Sequence, residues 1–243
     1  MARLLAVRDL AKHFGGVTAL AGVDVEVADG ELVGLIGPNG SGKTTLVNCV
    51  SGVLRPTAGT VAFEGEDITG WSRPRRARAG LLRTFQNLRL FGELTVSENV
   101  EAGAFNKRAG DRAAGVRRLL DDFGLAPYAR RPAADLPYGY QRRVEIARAL
   151  LGHPRLLLLD EPAAGLSEAE RDELRDALLE ARGRLGSAML VIDHDMTFML
   201  ELCERLVALH EGKKIFDGEP KETLAHPEVI GSYLGESAAG AGA

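Results

Sequence analysis

The sequence predicts an α/β fold with a parallel core sheet, an N-terminal antiparallel β subdomain and an inserted α-helical subdomain. Three observations carry this. Apolar runs of strand length, "ELVGLIG" (31–37), "RLLLLD" (155–160) and "SAMLVIDHD" (187–195), alternate with helical patterns, as in a parallel sheet covered on both faces. The first part, "LLAVRDLAKHF" and "ALAGVDVEVADG", instead shows partial apolar–polar alternation, the mark of half-buried strands. From about 88 to 150 Arg, Leu and Ala dominate, which favours helix.

In chain order, "KTTLVNCVSGVL" (43–54) has a helical pattern and "PTAGTVAFEGEDI" reads as a turn followed by a hairpin. The helical section is expected as an insertion between the first and second parallel strands. The segment 168–186 is a helix, and "RLVALHEGKKIFDGEP" (205–220) reads as two strands about a Glu-Gly turn. One domain is expected over 4–235. The last residues, "ESAAGAGA", are small and featureless, and a disordered tail is expected over 236–243.

The 243 residues carry a net charge of -4, which argues against broad nucleic-acid binding. The Arg-rich stretches 73–80 and 130–135 read as solvated charged faces. Cys49 and Cys203 lie far apart with no metal-like spacing, so a reduced, cytosolic chain is expected. No apolar run approaches a membrane span. The N-terminus has too short an apolar core for a signal peptide.

The chemistry begins at "GPNGSGKTT" (37–45), which fits G-x-x-x-x-G-K-[ST] between an apolar strand and a helix. Gly37, Gly40 and Gly42 let the backbone curl, with Pro38, Asn39 and Ser41 between them, so that N–H groups face phosphate oxygens. Lys43 would reach the β- and γ-phosphates. Thr44, followed by Thr45, would give its hydroxyl to Mg²⁺. This loop implies a nucleoside triphosphate without specifying the base. "NKRA" (106–109) lacks the Asp of a guanine-specifying motif, and "DFG" (122–124) has no companion "HRD" and reads as a helix end.

"LLLLDEP" (156–162) is an apolar strand ending in two carboxylates. Asp160, at a C-terminal strand edge, would hold Mg²⁺. Glu161 is the candidate general base for water attack. "VIDHDM" (191–196) ends a third strand and puts His194 within reach of the γ-phosphate; the Asp-His-Asp triplet lacks the second His or Cys of a metal site.

"ADLPYGYQRRVEIAR" (133–147) opens a helix with a Pro, a Gly and two aromatics. Either this is punctuation or the helix end is aimed at a phosphate.

Taken in order, "GPNGSGKTT", "RTFQNLRLF", "LPYGYQRR", "LLLLDEP" and "DHD" resemble the ATP-binding cassette of ABC transporters over nearly the whole chain. The resemblance implies an ATPase using ATP and Mg²⁺. It makes Gln86 the Q-loop glutamine that contacts Mg²⁺ and the attacking water, Asp160 and Glu161 the Walker B pair, His194 the switch histidine, and Phe14 the aromatic that stacks on adenine. It also answers the question of 133–147. Leu136, Pro137, Tyr138, Gly139 and Tyr140 occupy the signature, usually Leu-Ser-Gly-Gly-Gln, which meets the γ-phosphate held by a second cassette. Pro137 brings neither hydroxyl nor N–H, and Ser167 stands where the D-loop usually has Asp.

Finer features, "RTFQNLRLFGELTVSENV", "LPYGYQRRVEIARAL" and "HPEVIGSYLGE", look like the ATP-binding subunit of branched-chain amino acid importers. That implies two membrane-spanning permease subunits, a second ATP-binding subunit, an extracytoplasmic solute-binding protein, and a peripheral place on the cytoplasmic face of the membrane. Urea or amide importers and the lipopolysaccharide-export ATPase remain alternatives. So do a soluble ABC ATPase of DNA repair or translation and a stand-alone P-loop kinase.

Overall fold

The computed structural model describes residues 3–85, 88–104 and 109–239. Two long strands, β1 (Arg3–Phe14) and β2 (Val17–Ala28), form an antiparallel ribbon. β3 (Leu32–Ile36) leads into α1 (Lys43–Val50); β4 (Ala58–Phe63) and β5 (Glu66–Asp67) make a hairpin; α2 (Arg73–Arg78) precedes β6 (Leu81–Arg83). The helical section holds α3 (Val96–Glu101), α4 (Ala109–Asp122) and α5 (Tyr138–Leu151). Then come β7 (Leu156–Asp160), α6 (Glu168–Leu185), β8 (Ala188–Ile192), α7 (Met196–Leu202), β9 (Arg205–His210), β10 (Lys213–Gly218), α8 (Pro220–Ala225) and α9 (Pro227–Ala239).

The first sheet has the order β2-β1-β4-β5 and is antiparallel. The second has the order β10-β9-β3-β8-β7-β6; all neighbours are parallel except β10 and β9. Every residue of β3, β7 and β8 is buried, which is why these strands read as unbroken apolar runs. Their side chains still divide by pleat. Leu32, Leu157, Leu159, Met189 and Val191 pack with α5, α6 and the helical section. Val33, Leu35, Leu156, Leu158, Leu190 and Ile192 pack against α1 and the antiparallel sheet. The period of two thus builds two cores from one sheet.

Two expectations need correction. The helical section does not separate the first and second parallel strands. β6 intervenes, pairing with β7 through Leu81, Leu82 and Arg83, so the insertion falls between the second and third. A three-residue strand is too short to show a period. Nor is 73–80 simply a solvated face. Arg76 is 2% exposed, and its guanidinium donates to the carbonyls of Cys49, Val50, Thr69 and Trp71. It caps the C-terminus of α1, where carbonyls lack helical partners and favour a cation. The last helix, α9, runs past the expected start of the tail at 236. Among the described residues no helix is long and apolar enough to cross a membrane.

Candidate functional site

Adjacent parallel strands β3, β8 and β7 end at one level: Leu35 pairs with Ile192, and Ile192 with Asp160. The residues after each strand therefore meet at the C-terminal edge of the sheet, where open α/β sheets bind ligands. They form a cleft of about 430 Å³ lined by Asn39, Gly40, Gly42, Lys43, Thr44, Thr45, Glu161 and His194, with Ala19 from β2 and Ile192.

The loop 37–45 needs its glycines at two places in particular. Gly37 has φ 144° and Gly42 φ 104°. A Cβ on Gly37 would collide with the Leu209 carbonyl of β9, and one on Gly42 would lie 2.7 Å from the Ala19 carbonyl. Only a residue without a side chain fits between those neighbours. Lys43 is buried and donates to the carbonyls of Gly37 (2.6 Å) and Pro38 (2.8 Å). The hydroxyl of Ser41, 2% exposed, has no hydrogen-bond partner among the described residues. A buried orphan hydroxyl is costly, and here it lies in a loop of amides at a helix start, a set of donors suited to phosphate. A triphosphate fits this site. The hydroxyl of Thr44 and the carboxylate of Asp160 are hard oxygen donors of the kind Mg²⁺ takes.

Opposite the loop, Glu161 Oε1 and His194 Nε2 are 3.1 Å apart. Glu161 has φ 50°, an uncommon conformation for a side-chain-bearing residue. Its backbone is held by bonds on both sides: its N–H donates to Ile192 O (2.7 Å), and its carbonyl accepts from Ala164 N (3.2 Å) and Arg142 Nη2 (3.2 Å). His194 sits in a turn organised by Asp193, which accepts from the N–H groups of Ala163, His194 and Asp195 at 2.8–3.0 Å. Burial pushes the Asp193 carboxyl up, and the bonds from Ala163 and His194 oppose this. Asp195 caps α7 by accepting from Phe198 N (2.9 Å). Both aspartates of the triplet thus have backbone work, and among the described residues no His/Cys/Asp/Glu cluster suits a metal.

Asp160 is 5% exposed and ion-paired to Arg83 at 2.7 Å. The sequence reading missed Arg83; its only signal was a charge directly ahead of "TFQ" in a short apolar stretch. It also missed Arg142. This side chain, 1% exposed, donates to Phe85 O (2.7 Å) and Glu145 Oε2 (2.9 Å) as well as to Glu161 O. One guanidinium thereby joins the residue ahead of Gln86, the signature helix and the candidate base. Gln86 itself lies outside the described residues.

The signature residues stand at the start of α5, and none of 136–140 is among the cleft-lining residues named above. Leu136 is buried. Pro137 is the N-cap of α5 and offers no side-chain bond. Tyr138 is 44% exposed beside Gly165, whose added Cβ would touch its ring at 3.4 Å. A Cβ on Gly139 would meet the ends of two flexible side chains, Glu170 Oε1 at 2.8 Å and Leu166 at 3.1 Å. Tyr140 turns inward, with its ring edge-on to Tyr128 at 4.8 Å. Ser167 explains its own departure: it caps α6 in a reciprocal box with Glu170, whose carboxyl those Ser167 bonds hold below the usual range. Phe14 is 46% exposed at the end of β1, with Lys12 Nζ 5.0 Å from its ring centre. It is not a core residue.

A glycine loop suited to a triphosphate, a facing carboxylate–imidazole pair and a helical insertion are the parts an ATP-hydrolysing cassette needs. The family described as ABC transporter matches residues 20–164, more than half the chain, and the protein belongs to it. BraF of Pseudomonas aeruginosa, named a high-affinity branched-chain amino acid transport ATP-binding protein, is 38% identical over 251 residues, covering 96% of this chain and 98% of that one. LivG of Escherichia coli, similarly named, is 39% identical over 254 residues with the same coverage. A nucleotide-free ATP-binding cassette from an ABC transporter superposes with TM-score 0.87 at 30% identity, over 96% of this chain and 99% of that one. A structure described as the ADP conformation of an ATP-binding cassette of an ABC transporter gives 0.86 at 31%, over 97% and 100%. The chain is the ATP-binding, ATP-hydrolysing subunit of an ABC transporter, and permease components in the membrane are its partners.

Proposed function

We propose that this subunit powers an importer of branched-chain amino acids, with two permease subunits, a second ATP-binding subunit and an extracytoplasmic solute-binding protein. Its place is then peripheral, on the cytoplasmic face. The observation that carries the catalytic part is the 3.1 Å Glu161–His194 pair facing Lys43 and Thr44 across one cleft. Amides of 37–45, the Ser41 hydroxyl and Lys43 bind the triphosphate. Lys43 must exchange its two loop carbonyls for phosphate oxygens, an exchange of neutral for charged acceptors. Thr44 and Asp160, with Gln86, would hold Mg²⁺, which would neutralise phosphate charge. Glu161 accepts the proton of the attacking water, and His194 orients that carboxylate and the γ-phosphate. Phe14 stacks on the base.

Leu136, Pro137, Tyr138, Gly139 and Tyr140 act on the nucleotide of the neighbouring cassette; none of them is among the residues lining the cleft of their own chain. The amide-lined start of α5 is a phosphate-binding end. The names of relatives such as BraF and LivG support this choice of solute. The test is uptake into vesicles holding the cognate permease, this subunit and its mate, driven by internal ATP. Labelled leucine, isoleucine or valine should accumulate; accumulation of urea or short amides alone would assign another importer.

A further inference from the structure

The stretch "HPEVIGSYLGE" has no task in the chemistry above, yet it touches the nucleotide loop. The Tyr233 hydroxyl accepts a hydrogen bond from the N–H of Gly37 at 2.8 Å, across 196 positions of sequence. We propose that Tyr233 is a positioning residue for nucleotide binding, and that α9 is the strap that carries it.

Gly37 is a buried junction. Its carbonyl accepts from Lys43, one Cα hydrogen faces Leu209 O and Ser41 Oγ, and its N–H donates to the Tyr233 hydroxyl. Four neighbours thus set the first turn of the loop, at a φ of 144°. Lys43 must leave the Gly37 carbonyl to reach phosphate. When it does, the Tyr233 bond still fixes Gly37. The helix is built to deliver that hydroxyl. Val229 is buried one turn before Tyr233, on the same face. Ser232 is buried beside it and donates to Val229 O at 2.7 Å. Ile230, in contrast, is 44% exposed. Removing the Tyr233 oxygen leaves a buried amide unpaired, and the loop relieves this by leaving its curl.

The inference rests on 37–45 being the nucleotide loop. The experiment compares Tyr233→Phe with Ile230→Ala and the unaltered chain, each assembled with its permease and mate. The phenyl ring keeps the packing and loses only the hydroxyl. ADP affinity by calorimetry should weaken about three- to tenfold in Tyr233→Phe, as expected for one lost hydrogen bond. KM for ATP should rise by a similar factor with kcat within about twofold. Hydrogen exchange at the Gly37 amide should quicken. Ile230→Ala should bind as the unaltered chain does. Unchanged ADP affinity and KM in Tyr233→Phe overturn the proposal, as does an equal loss in Ile230→Ala. If the unaltered chain itself fails to bind ADP, the loop assignment falls instead.

Discussion

The Arg83 guanidinium lies 2.7 Å from Asp160 Oδ2, and both side chains are buried. β6 is what places it there: Arg83 pairs with Leu158, and its long side chain reaches forward to the end of β7. The same guanidinium donates to Asn48 Oδ1 (2.6 Å) and Ser51 Oγ (3.0 Å) at the end of α1. The helix that follows the phosphate loop is thereby tied to the acidic strand end. Asp160 can be buried because this pair balances its charge. Arg83→Met would leave the carboxylate uncompensated, and breaking such a pair costs about 3–5 kcal/mol. Urea unfolding checks this; a loss under about 1 kcal/mol would mean that Arg83 does not support Asp160.

Glu161 and His194 give a kinetic prediction. Glu161→Gln keeps the shape of the side chain and removes its basicity. ATP binding should persist, and kcat should fall at least about 10²-fold, the usual share of a general base. Steady-state turnover and nucleotide binding on the same preparation test it. Retained turnover would move the base elsewhere.

Pro137 at the N-cap of α5 gives a prediction in the opposite direction. Pro137→Ser restores a capping hydroxyl and an N–H. It should stabilise the chain by about 1 kcal/mol and strengthen nucleotide-driven closure, because a hydrogen bond to a charged group is worth roughly 1.5–3 kcal/mol. Thermal unfolding and the ATP concentration for dimer formation measure the two effects. No change in closure or in ATPase rate would show that the altered signature loses nothing by its proline.

Asp193 sets a pH dependence. Burial raises its folded-state pKa, so the folded chain holds that proton more tightly than the unfolded chain. Its contribution to stability is therefore greatest below the unfolded value of about 3.9, declines as pH rises to the folded value, and is level above it. Asp193→Asn has no such slope. The stability of the unaltered chain relative to Asp193→Asn should fall with rising pH across that window, measured by urea unfolding. A difference that is flat or grows with pH would contradict the burial argument.

Much of this site was legible because its chemistry is local in sequence. The loop 37–45 lies between a strand and a helix that each declare themselves, and the carboxylates of 160 and 161 directly follow a run of four leucines. What could not be read depends on contacts between distant segments. Arg76 looked like one charge among several, and only the nearby end of α1 makes its burial favourable. Arg142 sat in a helix that was correctly expected, but its partners Phe85 and Glu161 lie 57 and 19 positions away. Ser167 was read as a lost aspartate; the Glu three residues on makes it a helix cap. β6 gave no period to detect, so the insertion point was misplaced by one strand.

The central claim is that ATP is held between two cassettes, by the curled loop of one and the start of α5 of the other. Sedimentation of Glu161→Gln, alone and with its candidate mate cassette, tests it most directly. With Mg²⁺ and ATP the account predicts a stable two-cassette species that is lost with ADP and weakened by Gly139→Asp. A protein that stays at single-cassette mass with ATP and every candidate mate would contradict it.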